Sequence, residues 1–90
     1  MRNIDFTKQA DKFLRKLQKK QQRQVSSKIR DLLDNPFPND CVSIQGVPNF
    51  YRVDVGEFRV CYTLNTDTLT IAMVGKRNDN EVYRKFKRLF

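Results

Sequence analysis

The side chains of this sequence best suited to chemistry are arginines. Between Asp31 and Gly75 the only cations are Arg52 and Arg59, set among six acids: Asp31, Asp34, Asp40, Asp54, Glu57 and Asp67. Lys76 and Arg77 follow in a polar run, and Tyr83 lies just beyond. Guanidinium groups hold phosphates bidentately and aromatic rings stack on splayed bases, so separated cations with a tyrosine nearby suit RNA. Histidine is absent, which removes His-based acid–base catalysis, Ser-His triads, Cys-His pairs and most zinc sites. An enzyme made from this chain works with Arg, Lys, Tyr, Asp or Glu. Because Arg stays protonated and free Tyr titrates near about 10, such a site depends on positioning and electrostatics more than on proton transfer.

The two isolated arginines sit in the stretch that organises the chain. Tyr51, Val53 and Val55 alternate with Arg52 and Asp54; after Gly56-Glu57, Phe58, Val60 and Tyr62 alternate with Arg59 and Cys61. Period-2 alternation on both sides of a Gly-X pair predicts an antiparallel hairpin with a type II′ turn, Gly56 supplying the positive φ. A two-residue loop pairs Val55 with Phe58, Asp54 with Arg59, Val53 with Val60, Arg52 with Cys61 and Tyr51 with Tyr62. One face is then apolar or aromatic, and the other presents Arg52, Asp54, Arg59 and Cys61. Asp54 opposite Arg59 reads equally as an ordinary cross-strand pair. Tyr51 and Tyr62 share the valine face and read as core, and Cys61 as a small buried residue.

Ninety residues make a single domain over residues 1–90, with room for one modest core. Eighteen Lys and Arg against ten Asp and Glu give a net charge of +8, which points to a polyanionic partner, nucleic acid first. No apolar run approaches membrane-spanning length and no signal-peptide pattern precedes Asp5, so no membrane is expected and the expected compartment is the cytoplasm. Cys41 and Cys61 have no CxxC spacing and read as reduced thiols there.

In chain order, Ile4 and Phe6 alternate with polar residues as a short first strand. Thr7 offers an N-cap hydroxyl to a helix carrying Ala10, Phe13, Leu14 and Leu17; Val25, Ile29, Leu32 and Leu33 form a second stripe. The intervening run from Gln18 to Gln24 has no apolar residue. A continuous helix would bury Gln21, so two helices folded as a hairpin are expected. Nine basic residues fall between Lys8 and Arg30, mostly opposite the stripes, and read first as a solvated face. Asp34-Asn35-Pro36 stops the second helix. Cys41 to Gln45 reads as an irregular edge segment, Gly46 to Asn49 as a turn, and Asn65-Thr66-Asp67 as a second turn. Leu69, Ile71 and Met73 alternate with Thr70, Ala72 and Val74 as another strand; a polar loop from Gly75 leads to a terminal helix capped by Asn80 and carrying Val82, Tyr83, Phe86 and Leu89.

The expected fold is α+β: a small antiparallel meander sheet against an N-terminal helical hairpin, with a short C-terminal helix. The run from Tyr51 to Tyr62, followed by Val74-Gly75-Lys76-Arg77 and Glu81-Val82-Tyr83-Arg84, resembles the RelE branch of the RelE/ParE toxin superfamily. Ile44-Gln45-Gly46 resembles its entry segment. The resemblance covers nearly the whole chain, and its specificity lies in the combination of motifs. It implies a ribosome-dependent endoribonuclease that cuts mRNA in the decoding site and is neutralised by a cognate antitoxin. By position, Arg52 matches a basic residue near the scissile phosphate, Arg59 the transition-state arginine, Arg77 a second phosphate-binding arginine, and Tyr83 the tyrosine near the attacking hydroxyl. Lys76, Arg84 and Lys85 are further expected RNA contacts, and no metal or organic cofactor is implied. Where several relatives carry a second basic residue two positions after Arg52, this chain has Asp54, as general base or as the group that aligns Arg59; Lys76 is near enough in sequence to compensate. The alternatives are a ParE-like toxin acting on a topoisomerase and a non-catalytic RNA-binding module.

Overall fold

The computed structural model describes residues 2–78 together with Arg84 and Arg88. Five strands form one sheet in the order β1-β5-β4-β3-β2: β1 Asn3–Phe6, β2 Val42–Ser43, β3 Phe50–Val55, β4 Phe58–Asn65 and β5 Thr68–Lys76. Helices α1, Lys8–Arg15, and α2, Lys19–Asp34, fall between β1 and β2 in sequence. The expected terminal helix from Asn80, with Tyr83 and Lys85, lies outside the described residues; Arg84 is helical and exposed.

Strands β2 to β5 are the expected meander, each pair antiparallel. Strand β1 adds to β5 in parallel, Ile4 opposite Leu69 and Phe6 opposite Ile71, so the sheet as a whole is mixed. Tight turns dictate antiparallel pairing only for strands they join, and both helices intervene between β1 and the rest. The central hairpin has the expected register, Val55 with Phe58 through Tyr51 with Tyr62. Gly56 turns at φ 58°, while Glu57 keeps an ordinary negative φ, as a type II′ turn requires.

The helical hairpin is present, and its break falls at the leading margin of the glutamine-rich run. Lys16 N–H and Leu17 N–H close back onto Phe13 O and Leu14 O, both at 3.2 Å, which ends α1 in a tight 3₁₀-like turn. The run itself then opens α2, and its amides work locally. Gln22 Nε2 donates to Leu14 O at 2.8 Å, and Gln21 Nε2 donates to Glu57 Oε1 at 3.2 Å. Gln24 lies against Gly56, where an added Cβ would come within 2.8 Å of its amide nitrogen. Thus α2 braces the tip of the central hairpin.

Ala10, Val25, Ile29 and Leu32 from the helices meet Val53, Phe58, Val60, Tyr62, Leu69, Ile71 and Val74 from the sheet in one core. The i, i+4, i+7 spacing of Val25, Ile29 and Leu32 sets them on one side of α2. Tyr62 is wholly buried, and its hydroxyl donates to Pro36 O at 2.6 Å, tying the end of α2 to β4. A second cluster, Ile44, Val47, Cys61, Ala72 and Met73 with Phe50 against it, lies on the opposite side of the sheet.

Membership of these two clusters corrects the expected phase of β5. Regular alternation from Leu69 and Ile71 would bring Met73 to the helices, but Val74 is there instead. Cys61 pairs with Met73 and Tyr62 with Ile71, leaving Ala72 as the extra residue of a β-bulge. The bulge carries Ala72 and Met73 together to the far side and restores alternation beyond. The strand also runs further than expected, through Lys76.

Candidate arginine-lined site

Arg52, Asp54 and Arg59 share the sheet face turned away from the helices, because each alternates with a core residue of β3 or β4. Arg59 Nε donates to Asp54 Oδ1 at 2.8 Å, and its Nη2 reaches Oδ2 at 3.4 Å. This is a two-point contact between directly opposed residues, and it fixes the plane of the guanidinium. The side chains are 24% and 36% exposed, so solvent screens the pair only in part.

The hydrogen bond from Arg59 holds the Asp54 carboxyl below its ordinary value, against a smaller opposing effect of burial. The charges of Arg59, Arg52 and Arg77 push in the same direction. Three arginines therefore converge on one carboxylate. An acid so surrounded stays ionised and is a weak proton acceptor at neutral pH, which makes it a better anchor than base.

Arg77 reaches this group through the phase of β5. Gly75 pairs with Arg59, and Arg77 N–H donates to Glu57 O at 2.9 Å, so the chain runs on beside the hairpin turn. Counting from Gly75, Arg77 returns to the Arg59 side. Lys76 pairs with Phe58, a core residue under the helices, and so belongs to the opposite side at its margin. The structure brings Arg52, Arg59, Arg77 and Asp54 together and sets Lys76 apart from them. Tyr83 and Lys85 are outside the described residues, and Arg84 is exposed. Among the described residues, no three His, Cys, Asp or Glu side chains gather to hold a metal.

Cys61 shares this face by register and is buried, as its reading as a small buried residue expects: it is 4% exposed, beneath the segment from Ile44 to Phe50. Ile44 and Val47 bury against it, and burial pushes its thiol up to about 11. The face is thus roofed at its Cys61 end. Positive φ at Gly46 (84°) and Asn49 (68°) lets the covering segment double back to enter β3.

Two residues that sequence reasoning did not connect with the site support it from the start of α1. Thr7 Oγ1 accepts from Ala10 N at 3.3 Å, as the N-cap of α1, and also donates to the bulge carbonyl Ala72 O at 2.7 Å. Gln9 Nε2 donates to Val74 O at 3.0 Å, while its Oε1 accepts from Val74 N at 3.1 Å. A strand neighbour would make the same two bonds, so this amide extends the sheet past the end of β1. The N-cap signal at Thr7 was visible in the sequence, whereas its second partner, 65 residues away, had no local signature.

Residues 4–81 match the family model described as the ParE toxin of the type II toxin-antitoxin system, parDE. No curated protein matches the chain. Among solved structures, the chain is similar to the isolated E. coli RelE toxin, with TM-score 0.76 and 25% identity over 100% of both chains. It is also similar to the archaeal RelE–RelB complex from Pyrococcus horikoshii OT3, with TM-score 0.74, 25% identity and coverage of 86% of this chain and 96% of that one. The intact E. coli RelBE toxin-antitoxin complex shares the fold at TM-score 0.75 and 23% identity, over 88% of this chain and 100% of that one.

Proposed function

The chain belongs to the ParE toxin family of type II toxin–antitoxin systems, as a RelE-like member of the RelE/ParE superfamily, and from that premise we propose that it is a ribosome-dependent endoribonuclease cleaving mRNA. The observation that carries this reading is the convergence of Arg52, Arg59 and Arg77 on one sheet face around Asp54.

The reaction is attack of a ribose 2′-hydroxyl on the adjacent phosphorus, forming the 2′-O–P bond as the hydroxyl gives up its proton and breaking the bond to the 5′-oxygen, which takes up one proton as it leaves, so that the exchange is proton-neutral. Negative charge builds on the non-bridging oxygens. Arginines fixed in advance favour that charge more than the ground state, because their reorganisation is complete before the reaction begins. Arg59 contributes most directly, its guanidinium plane set by Asp54. Arg52 and Arg77 flank it and hold phosphate, and Tyr83 is assigned to the attacking hydroxyl by its place in the family pattern. Ribosome-bound mRNA supplies the in-line geometry, on which a histidine-free site depends more than on proton transfer. The partners are the ribosome, mRNA and a cognate antitoxin; antitoxin complexes among the similar solved structures support the last.

A second reading rests on the family description itself, which is that of ParE. In it the same fold inhibits a DNA topoisomerase by protein contact, and the arginine face plays no chemical part. Mapping RNA and DNA ends after brief induction in cells separates the two. Clustered cuts inside translated codons are the expected result; DNA breaks with intact mRNA would establish the second reading instead.

A further inference from the structure

We propose that the Thr7 hydroxyl selects the strand register that brings Arg77 to the Arg59 face, which makes Thr7 a positioning residue for the arginine group. The functional consequence rests on the ribonuclease reading; the choice of register does not.

The sequence of β5 permits two phases. In the observed one, Ala72 bulges, Val74 enters the core, Gly75 stands opposite Arg59, and Arg77 falls on the Arg59 side. Without the bulge, alternation from the Tyr62–Ile71 pair would set Ala72 opposite Cys61, Met73 opposite Val60 and Val74 opposite Arg59. Met73 would then replace Val74 in the core at little apolar loss. Gly75 would move opposite Phe58, so Lys76 would take the Arg59 side and Arg77 would leave it. A one-residue slip exchanges every side chain between faces, and hydrophobic patterning cannot prevent it where neighbouring residues are both apolar.

Something outside the β4–β5 pair therefore decides. Among the described residues no strand flanks β5 on its outer edge beyond Phe6, and there the decision falls to Thr7 and Gln9. Gln9 grips the backbone N–H and C=O of Val74, but in the slipped phase Met73 would offer the same groups at the same place. Thr7 is different. Its hydroxyl donates to Ala72 O at 2.7 Å, a carbonyl that turns to the outer edge only because Ala72 is in the bulge. In regular alternation Ile71 faces that edge, as its bond from Thr7 N at 3.1 Å shows, and Ala72 would face β4. The hydroxyl bond is made in one register and lost in the other, while Gln9 holds whichever phase results.

The experiment separates donation from capping. Thr7→Asp keeps an N-cap acceptor but, ionised, has no proton to donate; Thr7→Ser keeps both functions. Amide NMR of the full chain reads the register directly, as cross-strand contacts of Arg59 with Gly75 or with Val74. Thr7→Ser is expected to give the Gly75 contact alone. Thr7→Asp is expected to add the Val74 contact and to slow single-turnover mRNA cleavage by about tenfold or more, as Arg77 leaves the site. Deleting Ala72 in the Thr7→Asp chain removes the residue that must bulge, so the Gly75 contact and the cleavage rate return to those of the deletion alone. A folded Thr7→Asp protein with only the Gly75 contact overturns the proposal, as does a defect that the deletion leaves uncorrected. If Thr7→Asp does not fold, Thr7→Ala is read by the same contacts. A wild-type chain that cleaves no RNA removes the proposed function, and the NMR comparison then decides the register by itself.

Discussion

Arg59 and Asp54 face one another across the central hairpin and meet at two points, 2.8 Å from Nε to Oδ1 and 3.4 Å from Nη2 to Oδ2. The carboxylate converts part of the arginine group's repulsion into order.

The first prediction is for Asp54→Asn. Stability is expected to change by about 0.2–1 kcal/mol, the range for cross-strand charge pairs. Cleavage is expected to fall modestly through looser orientation of Arg59. Because the folded-state value is lowered, the stabilisation is present above the ordinary carboxylate value of 3.8 and is lost as pH falls through the lower folded value. Denaturation of both proteins across the acid range checks this: the gap between them should close toward low pH. A pH-independent variant with a defect of about a thousandfold in the chemical step would instead identify Asp54 as a general base.

Arg59→Ala and Arg77→Ala are each expected to lower single-turnover cleavage by about 10²–10³, the usual loss for one charge-stabilising donor. Both side chains lie outside the main core, so thermal unfolding should remain cooperative and close to wild type. Near-normal cleavage by either folded variant would remove that arginine from the site.

Tyr62→Phe tests the tie between α2 and β4. Removing the hydroxyl leaves the Pro36 carbonyl without the buried donor it has at 2.6 Å. Chemical denaturation is expected to show a loss of about 1–3 kcal/mol, the cost of an unsatisfied buried group. Cleavage per folded molecule should not change, since Tyr62 faces the helices. An equally stable variant would show that another group reaches the carbonyl.

Cys61 should be inert in the folded protein. Its thiol is pushed up to about 11 and is roofed by Ile44 and Val47, so at pH 8 almost no thiolate is present or accessible. Mass spectrometry after iodoacetamide treatment should find Cys61 modified only once denaturant is added. Rapid labelling in the native state would mean that the segment over it opens.

The parts of this molecule that could be read from the sequence are those written by short-range pattern. The hairpin register followed from alternation around Gly56, and with it the opposition of Asp54 and Arg59. The helix start at Thr7 followed from capping chemistry. The bulge at Ala72 was hidden because Met73 and Val74 are both apolar, so either phase satisfies the pattern. The cover over Cys61 was hidden because Ile44 and Val47 flank a turn and show no period. Parallel pairing of β1 with β5 was hidden for the same reason: no turn joins them. In the site itself Arg52 and Arg59 stood out by type and isolation and Arg77 by its place in the family resemblance, while the side of the sheet taken by Lys76 depended on the bulge.

The bonds from Thr7 and Gln9 to β5 also order events in time. Each spans 65 residues of chain, whereas Gly56-Glu57 and Thr66-Asp67 close their hairpins across two. Loop closure grows costlier with length, so β3, β4 and β5 can meet before β1 and α1 arrive. During that interval both phases of β5 are open, and pulsed hydrogen exchange during refolding should protect the central hairpin amides before that of Val74. On this view the nascent chain acquires its shape first and its arginine constellation last, when its early residues return to dock on the last strand of the sheet.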